Sequence, residues 1–440
     1  MPMSAHKSAV GIVLVIVLFG RAGFCSGAGG MFFREYWGQY DEKISNTKEK
    51  RWRVNDEAVS LHERFGRRSE PAANGLALID IGEDLFGLDG AQLYLELWGG
   101  HPRTANKRLY INGRGPYVTG DDGVQEGNCA YSCPTIDLAP GHLVRGTNAL
   151  QFACDRGQSF WGHFIIDNMC IRCYLKADHP DLVAAGVQDF TAEVKVDDSG
   201  SGLKDSTVLS LCCAKEFEQS VVSVDYFGRY FGYDDNGNRL ENDWHGYTQN
   251  GQYKNHIGRA TTAPFRVKWD TTMIPDQDKP MAVKAVVSLK EGFQYVTPVL
   301  EGLSFPADRN KVRMYKCARM PVPFWSRANN AKTADMELPG DLTGVEQARL
   351  MVKIWDGGEG TVKDHFKING HAYPITSGRH IHDVVFTDVQ VDTSHLKGGE
   401  NTITLLSDTE HHGIEVVLPG PCLVLRYVKS AAVTGLNIQD

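Results

Sequence analysis

The sequence contains an internal duplication, and this feature constrains the fold more than any other. Trp98 precedes Asn112 by 14 residues, and Trp355 precedes Asn369 by the same 14 residues. In both segments an apolar, strand-like run ends near the tryptophan and an Ile-Asn-Gly turn follows. A Leu-x-x-Gly-x-Asn turn recurs further along each segment. Agreement at so many matched positions indicates two copies of one domain.

The duplication divides the chain into three domains, a number that 440 residues also predict. We expect a signal peptide over residues 1–28, a first domain over 29–180, a middle domain over 181–310, a second copy of the first domain over 311–430 and a tail over 431–440. Proline-containing stretches mark both boundaries of the middle domain.

The fold class follows from how apolar residues alternate. Each copy has short runs of alternating apolar and polar residues, broken by Asn-Gly, Gly-Gly and Pro-Gly, and no long run has the period of a helix. This pattern is typical of antiparallel strands joined by tight turns. It predicts an all-β chain of three consecutive β-sandwich domains, jelly-roll-like outside and immunoglobulin-like in the middle. The outer pattern resembles galactose-binding-like jelly rolls.

The N-terminus and the cysteines point to export. An apolar run over residues 9–19 is too short to span a membrane, and small residues follow it up to Ala28. We therefore expect a protein that is secreted or lies in the lumen of the secretory pathway. Of ten cysteines only Cys25 lies in the signal peptide, and the remaining nine allow up to four disulfides. Cys317 and Cys422 are the only two in the last domain, so we expect them to pair.

Charge and motifs exclude several partners. A net charge of -8 without a basic block argues against nucleic acid and anionic lipid as main partners, and no membrane association is expected after signal cleavage. Neither short-spaced cysteine pair has a second ligand pair at zinc-finger spacing, so we expect no metal there. Phosphate-loop, dinucleotide and hydrolase signatures are absent from the sequence, so we expect no cofactor. The oligomeric state stays open.

Residues 230–259 are the densest mixture of aromatic and ionisable side chains. Rigid aromatic rings stack on planar or sugar rings, histidine exchanges protons near neutrality, and arginine polarises a carbonyl. A long hairpin whose aromatic residues fill the space between domains explains the same composition. The candidates are Tyr230, Trp244 and Tyr247 for substrate binding and His245, His256 and Arg259 for catalysis.

Two further groups are weaker candidates. Trp161 and His163 are two residues apart in the sequence, and we expect them to form a second-choice substrate-binding wall. Asp234, Asn236 and Asn238 alternate oxygen-bearing side chains, as calcium loops do. The spacing differs from that of an EF-hand, so a solvated Asn-Gly turn is the preferred interpretation.

Two functions from different classes fit these observations. The first is a secreted, non-catalytic carbohydrate-binding protein, or an accessory protein that acts with polysaccharide enzymes. The second is a cofactor-free enzyme that holds small organic substrates in a cleft between sandwiches.

The overall organisation and the 230–259 region resemble the fungal hetero-Diels–Alderases of tropolonic sesquiterpenoid pathways. The resemblance implies cycloaddition of a tropolone quinone methide with a humulene-type sesquiterpene. Trp244 and Tyr230 would then stack on the tropolone, and His245, His256 or Arg259 would donate hydrogen bonds to its oxygens. We expect this enzyme function, with glycan binding as the alternative.

Overall fold

The computed structural model describes residues 29–38, 52–54, 75–100, 104–119, 124–125, 128–155, 164–197, 202–378, 381–409 and 413–428. The predicted signal peptide and tail lie outside these ranges. Nearly all of the described elements are antiparallel strands, so the all-β prediction is confirmed. Within these ranges, no helix has the length and apolar character needed to cross a membrane.

The elements fall into three consecutive units. The first contains β1 (Met31–Trp37), β2 (Trp52–Val54), β3 (Leu76–Ile81), β4 (Leu88–Trp98), β5 (Ala105–Ile111), β6 (Arg114–Val118), β7 (Val124–Gln125), β8 (Asn128–Cys129), β9 (Tyr131–Ser132), β10 (Thr135–Leu138), β11 (Gly146–Asp155), β12 (Phe164–Leu175) and then α1 (Pro180–Ala184). The middle unit contains β13 (Ala192–Val196), β14 (Ser206–Cys213), β15 (Val221–Tyr233), β16 (Leu240–Trp244), β17 (Tyr247–Gln249), β18 (Gln252–Lys254), β19 (Gly258–Ala260), β20 (Val267–Asp270), β21 (Met281–Leu289), β22 (Gln294–Val296) and β23 (Leu300–Leu303).

The third unit contains β24 (Lys311–Arg319), β25 (Trp325–Ser326), β26 (Lys332–Leu338), β27 (Val345–Asp356), β28 (Phe366–Ile368), β29 (His371–Ala372), β30 (Asp383–Val391), β31 (Gly399–Leu405), β32 (Ile414–Val416) and β33 (Cys422–Tyr427). Short 3₁₀ turns lie at Leu85–Gly87, Pro140–His142, Lys215–Ser220, Lys290–Gly292 and Thr393–His395.

The first and middle units share one sheet and one core. Strand β1 pairs with β12 of the first unit on one side and with β22 of the middle unit on the other. The resulting path is β10-β4-β12-β1-β22-β21-β15-β16. Phe32 of β1 packs edge-on against Tyr295 of β22, with ring centroids 5.1 Å apart. These two units therefore bury their apolar faces together, and the third unit has a core of its own.

The two outer units contain the same hydrogen-bonded corner. The Asn112 side chain donates to the Asn148 side chain at 2.8 Å, and Asn369 donates to Asn401 at 2.7 Å. Each also donates at 2.8 Å to the last carbonyl of the 3₁₀ turn that lies shortly before its partner asparagine. Both hairpin asparagines have positive φ, 52° and 50°, a conformation that asparagine tolerates better than most residues. The repeated Ile-Asn-Gly motif thus specifies a turn and its anchor.

The repeated tryptophans meet between the outer units. Trp98 is buried in an apolar cluster with residues of both units, and Trp355 packs against the same cluster. The Trp355 ring also lies parallel to the His382 ring, with centroids 5.8 Å apart. Their shared role is to fill the interface between the two copies.

The predicted Cys317–Cys422 disulfide is not formed. Cys422 lies opposite Lys316 in the β24–β33 pair, and successive residues of a strand point to opposite faces. Cys317 therefore points away from Cys422, towards Met336 in the core of the third unit. Cys317 and Cys422 are both free thiols.

Candidate functional site

The β17–β18 hairpin of the middle unit inserts between the outer units and is held by a buried carboxylate. Glu96 of β4 has no exposed surface and accepts hydrogen bonds from the Thr248 hydroxyl at 2.6 Å and from the amides of Asn250 and Gly251 at 2.9 and 3.0 Å. Burial raises the pKa of Glu96, while these donors lower it. On the other side, Gln249 donates to a β30 carboxylate at 2.7 Å.

Lys353 holds all three units together. It occupies the same repeat position in β27 that Glu96 occupies in β4, two residues before the tryptophan. Its buried ammonium donates to the Tyr131 carbonyl of the first unit at 2.8 Å and to the Gly237 carbonyl of the middle unit. The two outer units thus contact the middle unit through oppositely charged residues at matched sequence positions.

Two buried carboxylates lie beside this ammonium. Asp234 and Asp235 follow β15 and are 3% and 1% exposed. Burial raises the pKa of Asp234 to about 7, although Lys353 acts to lower it. Burial also lowers the pKa of Lys353, and the two carboxylates oppose that shift. The junction therefore contains charges that stabilise one another away from water.

His245 connects this junction to the candidate site. Its ring stacks on Tyr230, with centroids 3.7 Å apart, and its Nε2 lies 2.9 Å from the Tyr230 carbonyl oxygen. Its Nδ1 lies 3.6 Å from the Asp235 carboxylate. Burial alone would lower the pKa of His245, but the Asp235 carboxylate outweighs it and the pKa is raised. Both ring nitrogens thus face protein oxygens.

A cavity of about 170 Å³ lies between the middle and third units. Tyr230, His245 and Phe386 contribute aromatic rings to its wall. Three methionine side chains, one from the loop after β20 and one each from β24 and β27, add an apolar, polarisable surface. They are Met273, Met314 and Met351.

The same cavity has a charged edge. Arg349 donates to Asp388 at 2.7 Å, and Asp270 lies on the same lining. Burial raises the pKa of Asp388 against the opposing effect of Arg349. Burial would also raise the pKa of Asp270, but hydrogen bonds from Thr272 and the charge of Arg349 outweigh it, and that pKa is lowered. The cavity thus combines aromatic faces with two acceptors and a guanidinium donor.

The predicted site residues fall into separate places. Tyr230 and His245 both line the cavity. His256 and Arg259 instead face Asp225: His256 Nε2 lies 3.0 Å from the carboxylate, and Arg259 binds it through two nitrogens at 2.8 and 3.0 Å. Burial would raise the pKa of Asp225, but these two partners lower it. Asp225 lies on β15, Arg259 on β19 and His256 just before β19, and none of the three lines the cavity.

Trp244 and Tyr247 do not line the cavity either. Trp244 packs in an aromatic cluster around Phe33 and Phe227. Tyr247 is buried, and burial raises its pKa. Trp161 and His163 lie outside the described residues.

The proposed calcium loop already contains a cation. The Asn236 side chain donates to the carbonyls of Trp244 and Gly246. The Lys353 ammonium bonds to the Gly237 carbonyl of the same loop and lies near the buried Asp234. A carbonyl oxygen and a nearby carboxylate of this loop therefore face the Lys353 ammonium.

Among the described residues, one acidic and histidine cluster has the spacing of a metal site: Glu83, His179 and Asp181. Arg34 already donates to both of its carboxylates, at 3.0 and 2.7 Å. His179 Nδ1 accepts the Asp181 amide, which leaves the proton of a neutral ring on Nε2. A protonated nitrogen cannot bind a metal, so this cluster fits an arginine better.

Sequence reasoning missed Asp270, Arg349, Asp388 and Phe386. They come from β20, β27 and β30, which are far apart along the chain. The Arg349–Asp388 pair has one signal in the sequence. Both β27 and β30 are long runs rich in apolar residues, and each carries one member of this charged pair. No spacing in the sequence predicts that β20 would face them.

Comparison with known proteins finds distant structural neighbours. No protein-family model matches the chain, and no curated protein matches it. A β-porphyranase of glycoside hydrolase family 86 from Bacteroides plebeius is 14% identical with a TM-score of 0.24, over 54% of this chain and 36% of that one. Fibronectin(III)-like modules of Clostridium thermocellum CbhA are 14% identical with a TM-score of 0.16, over 50% and 98%.

A Parabacteroides merdae β-glucuronidase is 10% identical with a TM-score of 0.18, over 68% of this chain and 38% of that one. The chain spans about a third of the length of the porphyranase that it matches. Likenesses with such low TM-scores carry no argument about function.

Proposed function

We propose that this protein is a carbohydrate-binding protein that holds one sugar ring of a glycan in the cavity between the middle and third units. The observation that carries the proposal is a ring-sized cavity that has aromatic and thioether walls and a charged edge formed by Arg349, Asp388 and Asp270. Export, which the N-terminal segment predicts, would bring it into contact with extracellular glycans.

The size of the cavity favours a single ring. Sites for drug-sized ligands are roughly 300–1,000 Å³, whereas a cavity of about 150 Å³ accommodates benzene. At about 170 Å³ this cavity matches one six-membered ring. The rest of a longer glycan would extend into solvent.

The chemistry of the lining favours a hydroxylated ring. Asp270 and Asp388 supply acceptors and Arg349 supplies donors, and hydroxyl groups can satisfy both. Phe386 supplies an apolar face for the C–H groups of a sugar. An entirely apolar ligand would leave these charged groups without compensation for lost water.

Binding is tested by screening the purified protein on a glycan array and measuring the best ligand by calorimetry. We expect Arg349→Gln to weaken affinity by about 10-fold or more, since a hydrogen bond to a charged group contributes roughly 1.5–3 kcal/mol. Arg319→Gln is the matched control, because Arg319 pairs with Asp335 on the exposed surface of the same unit at 2.8 Å. Equal affinities for both variants and the wild type would reject this cavity as the site.

A second candidate is the cofactor-free cycloaddition that the family resemblance implies. The observation in its favour is the Arg349 guanidinium beside the apolar methionine wall, where it would polarise a tropolone carbonyl next to a hydrocarbon partner. Arg349 takes this role in place of His245, whose two ring nitrogens face Tyr230 and Asp235. The cavity holds one ring, so the sesquiterpene would react at its mouth.

Incubation with a tropolone quinone-methide precursor and a humulene-type alkene separates the two candidates. The cycloaddition predicts a faster reaction and a changed product ratio, both lost in Arg349→Gln. Glycan binding together with an unchanged rate and stereochemistry would reject the enzyme and support the first proposal.

A further inference from the structure

The charges on the lining of the cavity are unequal in number. Two carboxylates, Asp270 and Asp388, share the edge with Arg349, which is the only lysine or arginine among the described residues of the lining. Arg349 donates to Asp388 at 2.7 Å, so these two charges are matched in contact. His245 has its own carboxylate, Asp235, at 3.6 Å outside the lining. The second carboxylate of the edge therefore has no cation of its own in the cavity.

This second carboxylate belongs to Asp270, the last residue of β20. It is exposed, and within the described ranges its hydrogen bonds come from the uncharged Thr272, whose amide lies 2.9 Å away. Burial would raise the pKa of Asp270, but the bonds from Thr272 and the charges of Arg349 and Lys268 outweigh it. Lys268 is not part of the lining. Asp270 thus presents an ionised carboxylate to a ligand.

The walls of the cavity suit a positively charged ligand. Tyr233 and Phe386 both line it, and their ring centroids are 5.5 Å apart with the ring planes at 59°. Aromatic faces attract cations through the quadrupole of the ring, and thioether sulfur is polarisable. A ligand ammonium would therefore have favourable neighbours here, whereas a ligand carboxylate would face both Asp270 and Asp388.

We propose that the sugar ring held in this cavity is a hexosamine with a free amino group, such as glucosamine, and that its ammonium pairs with Asp270; this specificity rests on the carbohydrate binding proposed above. The ring hydroxyls would bond to Arg349 and Asp388. N-acetylation would remove the charge and with it the ion pair. A uronic acid would be repelled by the two carboxylates of the edge. The expected order of affinity is glucosamine, then glucose, then glucuronate.

The test titrates the purified protein with these three sugars, followed by ligand-observed NMR at pH 6, where the sugar amine is protonated. We expect glucosamine to bind about 5-fold more tightly than glucose, since a solvent-accessible ion pair contributes modestly. The preference should shrink in about 1 M salt, where the screening length falls to about 3 Å. Equal affinities for glucosamine and glucose would overturn the amine specificity and leave carbohydrate binding intact. No binding of these sugars or of any glycan on the array would reject both proposals.

Two variants of equal charge change test the role of Asp270. Asp270→Asn keeps the shape of the side chain and an oxygen that accepts the Thr272 amide, so glucose affinity should change little while glucosamine affinity falls to that of glucose. Asp197→Asn is the matched control, because Asp197 is an exposed carboxylate of the same unit that accepts from Arg266 at 2.7 Å. It should keep the 5-fold preference. A preference that survives in Asp270→Asn, or one that is lost in both variants, would overturn the assignment to Asp270.

Discussion

Lys353→Met keeps an unbranched apolar side chain out to Cε and removes the ammonium that joins the three units. The change deprives the carbonyls of Tyr131 and Gly237 of a donor and leaves Asp234 and Asp235 without their buried cation. Breaking a buried charge pair by removing one partner costs about 3–5 kcal/mol. We expect a loss of this size in the free energy of unfolding near pH 8.

The size of the loss should depend on pH in a direction that the structure determines. The pKa of Asp234 is raised from 3.8 to about 7 in the folded state, so the folded state binds its proton more tightly than the unfolded state. The protonated form contributes stability below pH 4, and this contribution is lost as the pH rises through 7. Without Lys353 the ionised Asp234 is less stable still. The difference between variant and wild type should therefore be larger at pH 8 than at pH 5.

Urea denaturation followed by tryptophan fluorescence and circular dichroism, at pH 8, 6.5 and 5, measures these differences. Lys311→Met is the control, because Lys311 is an exposed lysine on β24 of the same unit. A loss below about 1 kcal/mol, as for an exposed ion pair, would refute the reasoning. A loss that is equal at all three pH values would show that packing at the junction dominates over charge.

Three other experiments test the fold. Asn112→Ala and Asn369→Ala should each lower the free energy of unfolding by about 2–4 kcal/mol, since each removes a half-buried hydrogen-bond anchor at a positive φ and leaves a buried asparagine without its partner. A large effect in one outer unit alone would contradict the shared role. Iodoacetamide mapping of the native protein without reductant should label the half-buried Cys212 and Cys213 first and find no disulfide; a recovered disulfide peptide would contradict this. Thr248→Val should destabilise by about 1–3 kcal/mol and speed amide exchange in the β17–β18 hairpin, because a buried carboxylate loses a donor; unchanged exchange would count against this hairpin contact.

The sequence by itself determined the fold class and the local turns. Period-two alternation can be satisfied only by strands with one buried face, and each Ile-Asn-Gly motif places an asparagine where positive φ is needed. The Asn112 and Asn369 corners follow directly, because their partners Asn148 and Asn401 belong to the same repeated motif. Such features depend on residues whose relative positions are set by short stretches of chain.

Only the tertiary structure decided which ionisable residues are available for function. His256 and Arg259 have the residue types of a catalytic pair, yet Asp225 on the neighbouring strand binds both. The prediction of a Cys317–Cys422 disulfide was wrong for a related reason. The two cysteines lie on neighbouring strands, but the register of the strands places their side chains on opposite faces of the sheet. Arg349 and Asp388 face a cavity because β27 and β30 are in register and the middle unit packs on that side. Long-range packing of this kind depends on the burial of apolar surface and the pairing of charges across all three units. Short sequence patterns do not contain that information, because the residues involved are far apart along the chain.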